Sequence, residues 1–247
     1  MKLTNKLLGA ALFSIVLGGQ AVQVSAATYN NATNADSDAV VEFIENQGPG
    51  EIIDPLDPEV PVDPENPVNP NPGALRINYV SDFDFGQIEQ SGSAKHSFAA
   101  LDSVANAGTT DFREVPNFVS VQDDRGSNAG WRLTVSQSEQ LTAVDADGTH
   151  VLDSAKITLK NAQNANTASP FQPTTISTDI EMTIDGDTKD VAIADEGKGM
   201  STWSIGFGDS NAVATESIRL DVPGETKKVK GVQYKTQLNW NLASTPL

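Results

Sequence analysis

The residue types that carry out most enzyme chemistry are sparse in this sequence of 247 residues. It has two histidines, His96 and His150, and no cysteine, so it offers no thiol nucleophile and no cysteine-based metal site. Neither histidine stands in the spacing of a helical zinc motif, and the sequence contains no phosphate-binding loop and no nucleophile elbow. We therefore predict no catalytic residue and no enzyme activity.

Two acidic turns contain residue types that could bind calcium. They are Asp145-Ala146-Asp147-Gly148 and Asp185-Gly186-Asp187. Both lack the full alternation of oxygen ligands and the distant glutamate of a calcium-binding loop. Aspartate and glycine are also favoured in tight turns, so turn formation explains both segments more simply. We predict no metal site and no cofactor, with weak calcium binding as the open alternative.

Two segments of the form Trp-x-Leu suggest a different chemistry, because aromatic rings can stack on the apolar faces of sugars. The first is Trp131-Arg132-Leu133 and the second is Trp240-Asn241-Leu242. Apolar and polar residues alternate around both, which predicts β-strands with one buried face. The Trp and Leu of each strand share a face, and that face is either part of the core or a platform for sugar rings. Both interpretations stay open from the sequence alone.

The same alternation continues through residues 74–247, with turns of Gly, Asp and Asn between the apolar segments. We predict a hairpin turn at Asp185-Gly186 and no amphipathic helix longer than two turns. Short strands at this spacing predict an all-β domain, either a β-sandwich or two packed antiparallel sheets. The predicted strands are Ala74–Val80, Ser97–Leu101, Asn117–Gln122, Trp131–Ser138, Leu141–Val144, Ala155–Lys160, Ile176–Ile184, Thr188–Ala194, Thr202–Phe207, Ser217–Val222 and Lys228–Leu242.

Residues 1–26 have the pattern of a secretory signal peptide. Lys2 and Lys6 form the basic region, an apolar stretch runs from Leu7 to Gly19, and Val24-Ser25-Ala26 provides small residues for cleavage. The apolar stretch is too short for a retained membrane span, so we predict none in the mature form. We also expect no covalent anchoring, because residues 241–247 lack a sortase-type LPxTG signal.

Two further segments precede the predicted β-rich domain. In residues 27–47, Val40, Val41, Phe43 and Ile44 predict one short strand. Residues 48–73 are acidic and contain eight of the thirteen prolines, which recur at every third position from 55 to 70. Three residues make one turn of polyproline II, so this pattern predicts an extended spacer. If residues 39–44 pair with the sheet, the spacer is instead a long loop.

The charge of the chain limits its partners. Its formal net charge is −17 at pH 7. A chain this acidic has no electrostatic attraction for nucleic acid or for an anionic membrane, so we expect neither as a partner.

The two Trp-x-Leu segments and their neighbours resemble the WxL-domain surface proteins of low-GC Gram-positive bacteria. The proximal motif is matched by Gly130-Trp131-Arg132-Leu133-Thr134-Val135, and Thr202-Trp203-Ser204-Ile205 also resembles that family. The acidic proline segment, Gly73-Ala74-Leu75 and Phe83-Asp84-Phe85-Gly86 resemble the segment that leads into such domains. The distal motif is matched by Tyr234, Leu238, Trp240, Leu242 and Pro246.

The resemblance implies a secreted, β-rich domain that attaches non-covalently to the cell wall, with peptidoglycan as its ligand. It also implies complexes with other cell-surface proteins that are encoded alongside it. An alternative function is that of a structural subunit whose main partners are those proteins. The motif residues are carried over as ligand-binding candidates (Trp131, Leu133, Trp240 and Leu242), supported by Tyr234 and Leu238. Whether their side chains touch the ligand or fill the core stays open.

Overall fold

The computed structural model describes residues 27–244, and it confirms the prediction of an all-β fold built from packed antiparallel sheets. The described residues form twenty strands and one short helix. In chain order these are β1 (Thr28–Asn31), β2 (Asn34–Asp36), β3 (Ile52–Ile53), β4 (Pro61–Pro64), β5 (Leu75–Val80), β6 (Lys95–Phe98), β7 (Asp102–Asn106), β8 (Arg113–Val115), β9 (Phe118–Asp123), β10 (Trp131–Gln137), β11 (Thr142–Asp145), β12 (Gly148–Val151), β13 (Lys156–Lys160), β14 (Ala162–Gln163), β15 (Thr175–Ile176), β16 (Asp179–Glu181), β17 (Lys189–Ala194), β18 (Ser201–Phe207), α1 (Asn211–Ala214), β19 (Ile218–Val222) and β20 (Leu238–Ser244).

The chain divides into two compact units after Phe43. In the described part of the first unit, β1 and β2 form a small antiparallel hairpin. Residues 40–44 contain no strand, so the short strand predicted there is wrong. Its valine, phenylalanine and isoleucine side chains favour a strand, but a strand also needs a partner for its backbone hydrogen bonds. The predicted signal peptide, residues 1–26, lies outside the described residues.

The described part of the second unit, residues 44–244, encloses its main core with three four-stranded antiparallel sheets. Their strand orders are β15-β17-β10-β20, β16-β13-β19-β6 and β14-β18-β9-β5. Alternation explains which residues enter the core, since Trp131, Leu133 and Val135 of β10 are all buried in it. The hairpin β11–β12 turns at Ala146-Asp147, in agreement with the turn predicted from Asp147-Gly148.

A fourth sheet, of order β3-β4-β7-β8, corrects the prediction of a free spacer over residues 48–73. Strand β4 pairs with both β3 and β7, and Val62 is buried in a second core cluster with Val104 and Phe118. The φ angle that proline imposes is typical of polyproline II but also falls within the allowed β region, so proline spacing does not exclude a strand at a sheet edge. The burial of Ile52 and Val62 between the prolines favours the packed form.

Three predicted strands have clearly different extents in the structure. In place of Ser97–Leu101, β6 covers Lys95–Phe98 and residues 99–101 contain no strand. The segment Ile176–Ile184 is divided, because β15 pairs with β17 whereas β16 pairs with β13 in another sheet. The predicted hairpin at Asp185-Gly186 is therefore wrong, since the turn connects strands of two sheets. Within Lys228–Leu242, only the last part becomes strand, as β20.

Candidate functional site

The two Trp-x-Leu segments lie on neighbouring strands that pair with each other. Strands β10 and β20 form an antiparallel ladder in which Leu133 is opposite Leu242 and Val135 is opposite Trp240. The sequence indicated two similar strands, but their direct pairing depends on a contact between residues about a hundred positions apart. The two motifs therefore form one structural unit.

Trp131 and Leu133 have no solvent-exposed surface in this structure (0% each). The Trp131 indole Nε1 donates a hydrogen bond to the carbonyl oxygen of Gly199 at 2.8 Å, so its polar atom is satisfied inside the protein. A cell-wall polymer outside the domain has no access to either side chain. The alternating pattern left two interpretations open, and for Trp131 and Leu133 core packing is the correct one.

The distal motif residues occupy the edge of the same core. Tyr234, Leu238, Trp240 and Leu242 are half-buried and pack against it. The Trp240 ring lies 6.4 Å from the ring of Phe207, measured between centroids. The Tyr234 hydroxyl accepts a hydrogen bond from the backbone nitrogen of Val229 at 2.9 Å. These contacts position β20 as the edge strand of its sheet.

The opposite face of the motif ladder is polar. Arg132 donates from its Nε and one terminal nitrogen to both carboxylate oxygens of Asp190 on β17, an arrangement that raises the Arg132 pKa further. Asn239 and Asn241 are exposed. The Arg132 side chain is 52% exposed although it is paired with Asp190, so Arg132 and the two asparagines all present polar groups to solvent on this face.

Arg125 connects the ends of three strands around the proximal motif. Its Nε donates to Asp123 Oδ1 at 2.8 Å, and one terminal nitrogen donates to Asp123 Oδ2 and to the Gly130 carbonyl, both at 2.7 Å. The other terminal nitrogen donates to the Ser244 hydroxyl at 2.6 Å. Sequence analysis did not identify Arg125, since its partners come together only through the sheet.

The loop that begins at Gly197 and runs into β18 binds both buried indoles. Besides the bond from Trp131 to Gly199, Trp203 Nε1 donates to the Met200 carbonyl at 2.9 Å. A Cβ atom on Gly199 would lie 2.3 Å from Trp131 Nε1, so only glycine fits there. Glycine at positions 197 and 199, just before the strand containing Trp203, was the available sequence signal for this close packing.

Two shallow surface cavities lie on either side of this loop, and both are lined by Met200 and Ser201. Their volumes are about 290 and 280 Å³. The first also includes Asn46, Asp124 and Asn128, and the second includes Phe171 together with hydroxyl and amide side chains. Ser201 has φ = 69°, a left-handed conformation that is rare for a residue with a side chain. Such backbone outliers are concentrated at functional sites.

The histidine candidates lie on strands, His96 on β6 and His150 on β12, whereas the aspartate candidates lie in or beside turns. His150 Nε2 is 2.9 Å from Asp145 Oδ1, which also accepts from the Asp147 backbone nitrogen at 2.8 Å. These bonds, first that of His150, lower the pKa of Asp145. Asp185 accepts from the Asp187 backbone nitrogen at 3.0 Å. Both carboxylates thus serve their own turns, and residues 27–244 contain no group of three or more acidic or histidine side chains arranged to hold a metal ion.

The helical content of the described residues is small, and none of their helices is long and apolar enough to cross a bilayer.

Comparison with known families identifies the class of this β-rich domain. A family model described as "WxL domain surface cell wall-binding" matches residues 30–246, which is nearly the whole chain. The chain therefore belongs to the WxL family of cell wall-binding surface domains, as the resemblance in its motifs indicated. No curated protein and no solved structure is significantly similar to it.

Proposed function

We propose that this chain is a secreted, non-enzymatic protein that attaches to the bacterial cell wall without a covalent bond, through peptidoglycan. The observation that supports this most directly is the family match, because a family described as cell wall-binding covers residues 30–246.

The charge of the chain indicates how this attachment works. A net charge of −17 repels anionic wall polymers such as teichoic acids, so general electrostatic attraction does not hold the protein on the wall. Stacking and hydrogen bonds to uncharged parts of peptidoglycan depend little on salt. Cations that bridge protein and wall are the alternative, and they would make binding sensitive to a chelator.

Co-sedimentation of the purified protein with teichoic-acid-free peptidoglycan tests the proposal. We expect the protein in the pellet at both low and high ionic strength, with and without a metal chelator. If it stays in the supernatant under all of these conditions, the proposal is wrong. Loss of binding only in the presence of the chelator would show that a cation bridges the protein and the wall. Calcium binding by the two aspartate turns would then be the favoured explanation.

A second function, that of a subunit in a surface protein complex, is favoured by a separate observation. Phe43 and Ile44 are 90% and 85% exposed, and no strand among residues 27–244 covers them. Apolar side chains this exposed are typical of segments that are buried by a partner. Cell walls stripped of their non-covalently held proteins distinguish the two functions. A wall-binding protein binds stripped walls, whereas a subunit binds only unstripped ones.

A further inference from the structure

The two cavities beside the Gly197–Ser201 loop form the surface that we consider as a ligand site. They share Met200 and Ser201, so they are neighbouring parts of one groove. The groove runs across the start of β18, where Ser201 is exposed and has its unusual left-handed backbone. We call this surface, from Asn46 at one end to Phe171 at the other, the Ser201 groove.

One end of the Ser201 groove has an exposed aromatic side chain on a hydrogen-bonded stretch of backbone. Phe171 is 45% exposed. Its carbonyl accepts from the Gly199 nitrogen at 2.7 Å, and its own nitrogen donates to Ser169 Oγ at 3.2 Å. The Lys198 ammonium donates to the neighbouring Pro170 carbonyl at 2.6 Å. These bonds hold the backbone that carries the exposed ring, so binding through the ring would order little additional chain.

The side chains around Phe171 include hydrogen-bonding groups of the kind that bind sugar hydroxyls. Hydroxyl and amide side chains, among them Thr202 and Asn166, line the same cavity as the ring, and Glu51 adds one carboxylate acceptor. A few placed polar groups beside an apolar surface are the usual composition of a small-molecule site. A pyranose has the matching surface, since its C–H face is apolar and its rim is hydroxylated.

The charges of the groove select among the polymers of a cell wall. Neither cavity is lined by a lysine or an arginine, whereas acidic side chains line both. Asp123 is neutralised by Arg125, but Asp124 and Glu51 have no such ion pair among the salt bridges of the described residues. A phosphate-containing polymer would be repelled here, which leaves an uncharged sugar ring as the ligand that fits.

We propose that the Ser201 groove binds an uncharged sugar ring of the wall glycan, with Phe171 stacking on it. This inference rests on the proposed attachment to peptidoglycan. It gives Trp131 a positioning role, because the indole bonds to Gly199, and Gly199 in turn bonds to Phe171. The tryptophan of the proximal motif thus supports one wall of the groove from inside the core.

Phe171→Ala and Phe112→Ala make a matched pair for the test. Phe112 is 49% exposed, nearly the same as Phe171, but it lies before β8 and outside both cavities. Both variants should melt like the wild type because neither ring is in a core cluster. The probe is the soluble tetramer of β-1,4-linked N-acetylglucosamine, and binding is measured by titration calorimetry. Asn166→Ala is the second groove variant, so that the test does not depend on one substitution.

We expect Phe171→Ala to weaken binding of the tetramer about tenfold, as for removal of an aromatic anchor, and Phe112→Ala to leave it unchanged. Asn166→Ala should weaken it as well. Equal affinity of the wild type and both groove variants overturns the proposed groove, and so does a wild type that sediments with peptidoglycan but does not bind the tetramer. A wild type that binds neither peptidoglycan nor the tetramer overturns the proposed function itself.

Discussion

Leu133 lies directly opposite Leu242 in the antiparallel ladder of β10 and β20. Their strands contain the two Trp-x-Leu motifs, which consequently stabilise each other. The proximal side chains fill the centre of the main core and the distal ones close its edge. The motif pair therefore has a structural role, since it holds β10 and β20 together at the main core.

A double-mutant cycle on Leu133→Ala and Leu242→Ala measures the energetic coupling between the two strands. The free energies of unfolding should be non-additive by about 0.5–3 kcal/mol, because the two side chains are direct cross-strand neighbours. Leu133→Ala combined with Val104→Ala is the control, since Val104 belongs to the second core cluster. That pair should be additive within about 0.5 kcal/mol. Additivity of the Leu133 and Leu242 variants would show that the motifs are energetically independent.

Substitutions of Trp131 should act on stability. Trp131→Ala empties the centre of the main core and should lower the free energy of unfolding by about 3–5 kcal/mol. Trp131→Phe keeps most of the ring but leaves the Gly199 carbonyl without its donor, which should cost about 1–3 kcal/mol. Urea denaturation measures both.

Trp240→Ala is the natural comparison for Trp131→Ala, since the Trp240 ring is only half-buried. Its loss should cost less than the loss of Trp131. If Trp131→Ala unfolds at the wild-type urea concentration, the indole does not support the core as the structure shows.

Sequence patterns predicted the strands of this domain better than they predicted its site. Alternation located β10 and β18 because a period of two depends only on neighbouring residues. It did not show that the shared face of Trp131 and Leu133 points into the core, since alternation defines two faces without choosing between them. Nor could it place Phe171 beside Gly199, because that contact joins two loops from distant parts of the chain.

The ionisation of Tyr79 should make stability fall at high pH. Burial raises the pKa of Tyr79 above its ordinary value of 10.0, and its hydrogen bond to Asp102, at 2.7 Å, raises it further. Above about pH 10 the unfolded chain releases this proton while the folded chain keeps it, so the free energy of unfolding falls by about 1.4 kcal/mol per pH unit.

Tyr79→Phe isolates this effect from other groups that titrate in the same range. The stability difference between wild type and variant should be constant below pH 10 and should change in favour of the variant as the pH rises further. Chemical denaturation at several pH values from 9 to about 11.5 measures it. A difference that does not depend on pH would show that Tyr79 ionises equally easily in both states.

Limited proteolysis with a glutamate-specific protease should distinguish the two segments that precede β5. Glu42 and Glu45 lie in a stretch without strand pairing, and cleavage there should come first. Glu65 lies beside β4, and its backbone nitrogen donates to the Ser103 carbonyl at 3.0 Å, so cleavage there requires the fourth sheet to open. Mass spectrometry of early fragments gives the order. Equal rates at Glu45 and Glu65 would mean that the proline segment is a free spacer.

The pairing of β10 with β20 also determines when this domain can fold during synthesis. The hydrogen bond from Thr134 to Asn241 joins residues 107 positions apart. As the chain leaves the ribosome, one edge of β10 therefore stays without its partner until most of the domain has emerged. Contacts of such long range slow folding. A chain that folds late remains extended for longer, and an extended chain is the form that a narrow translocation channel accepts.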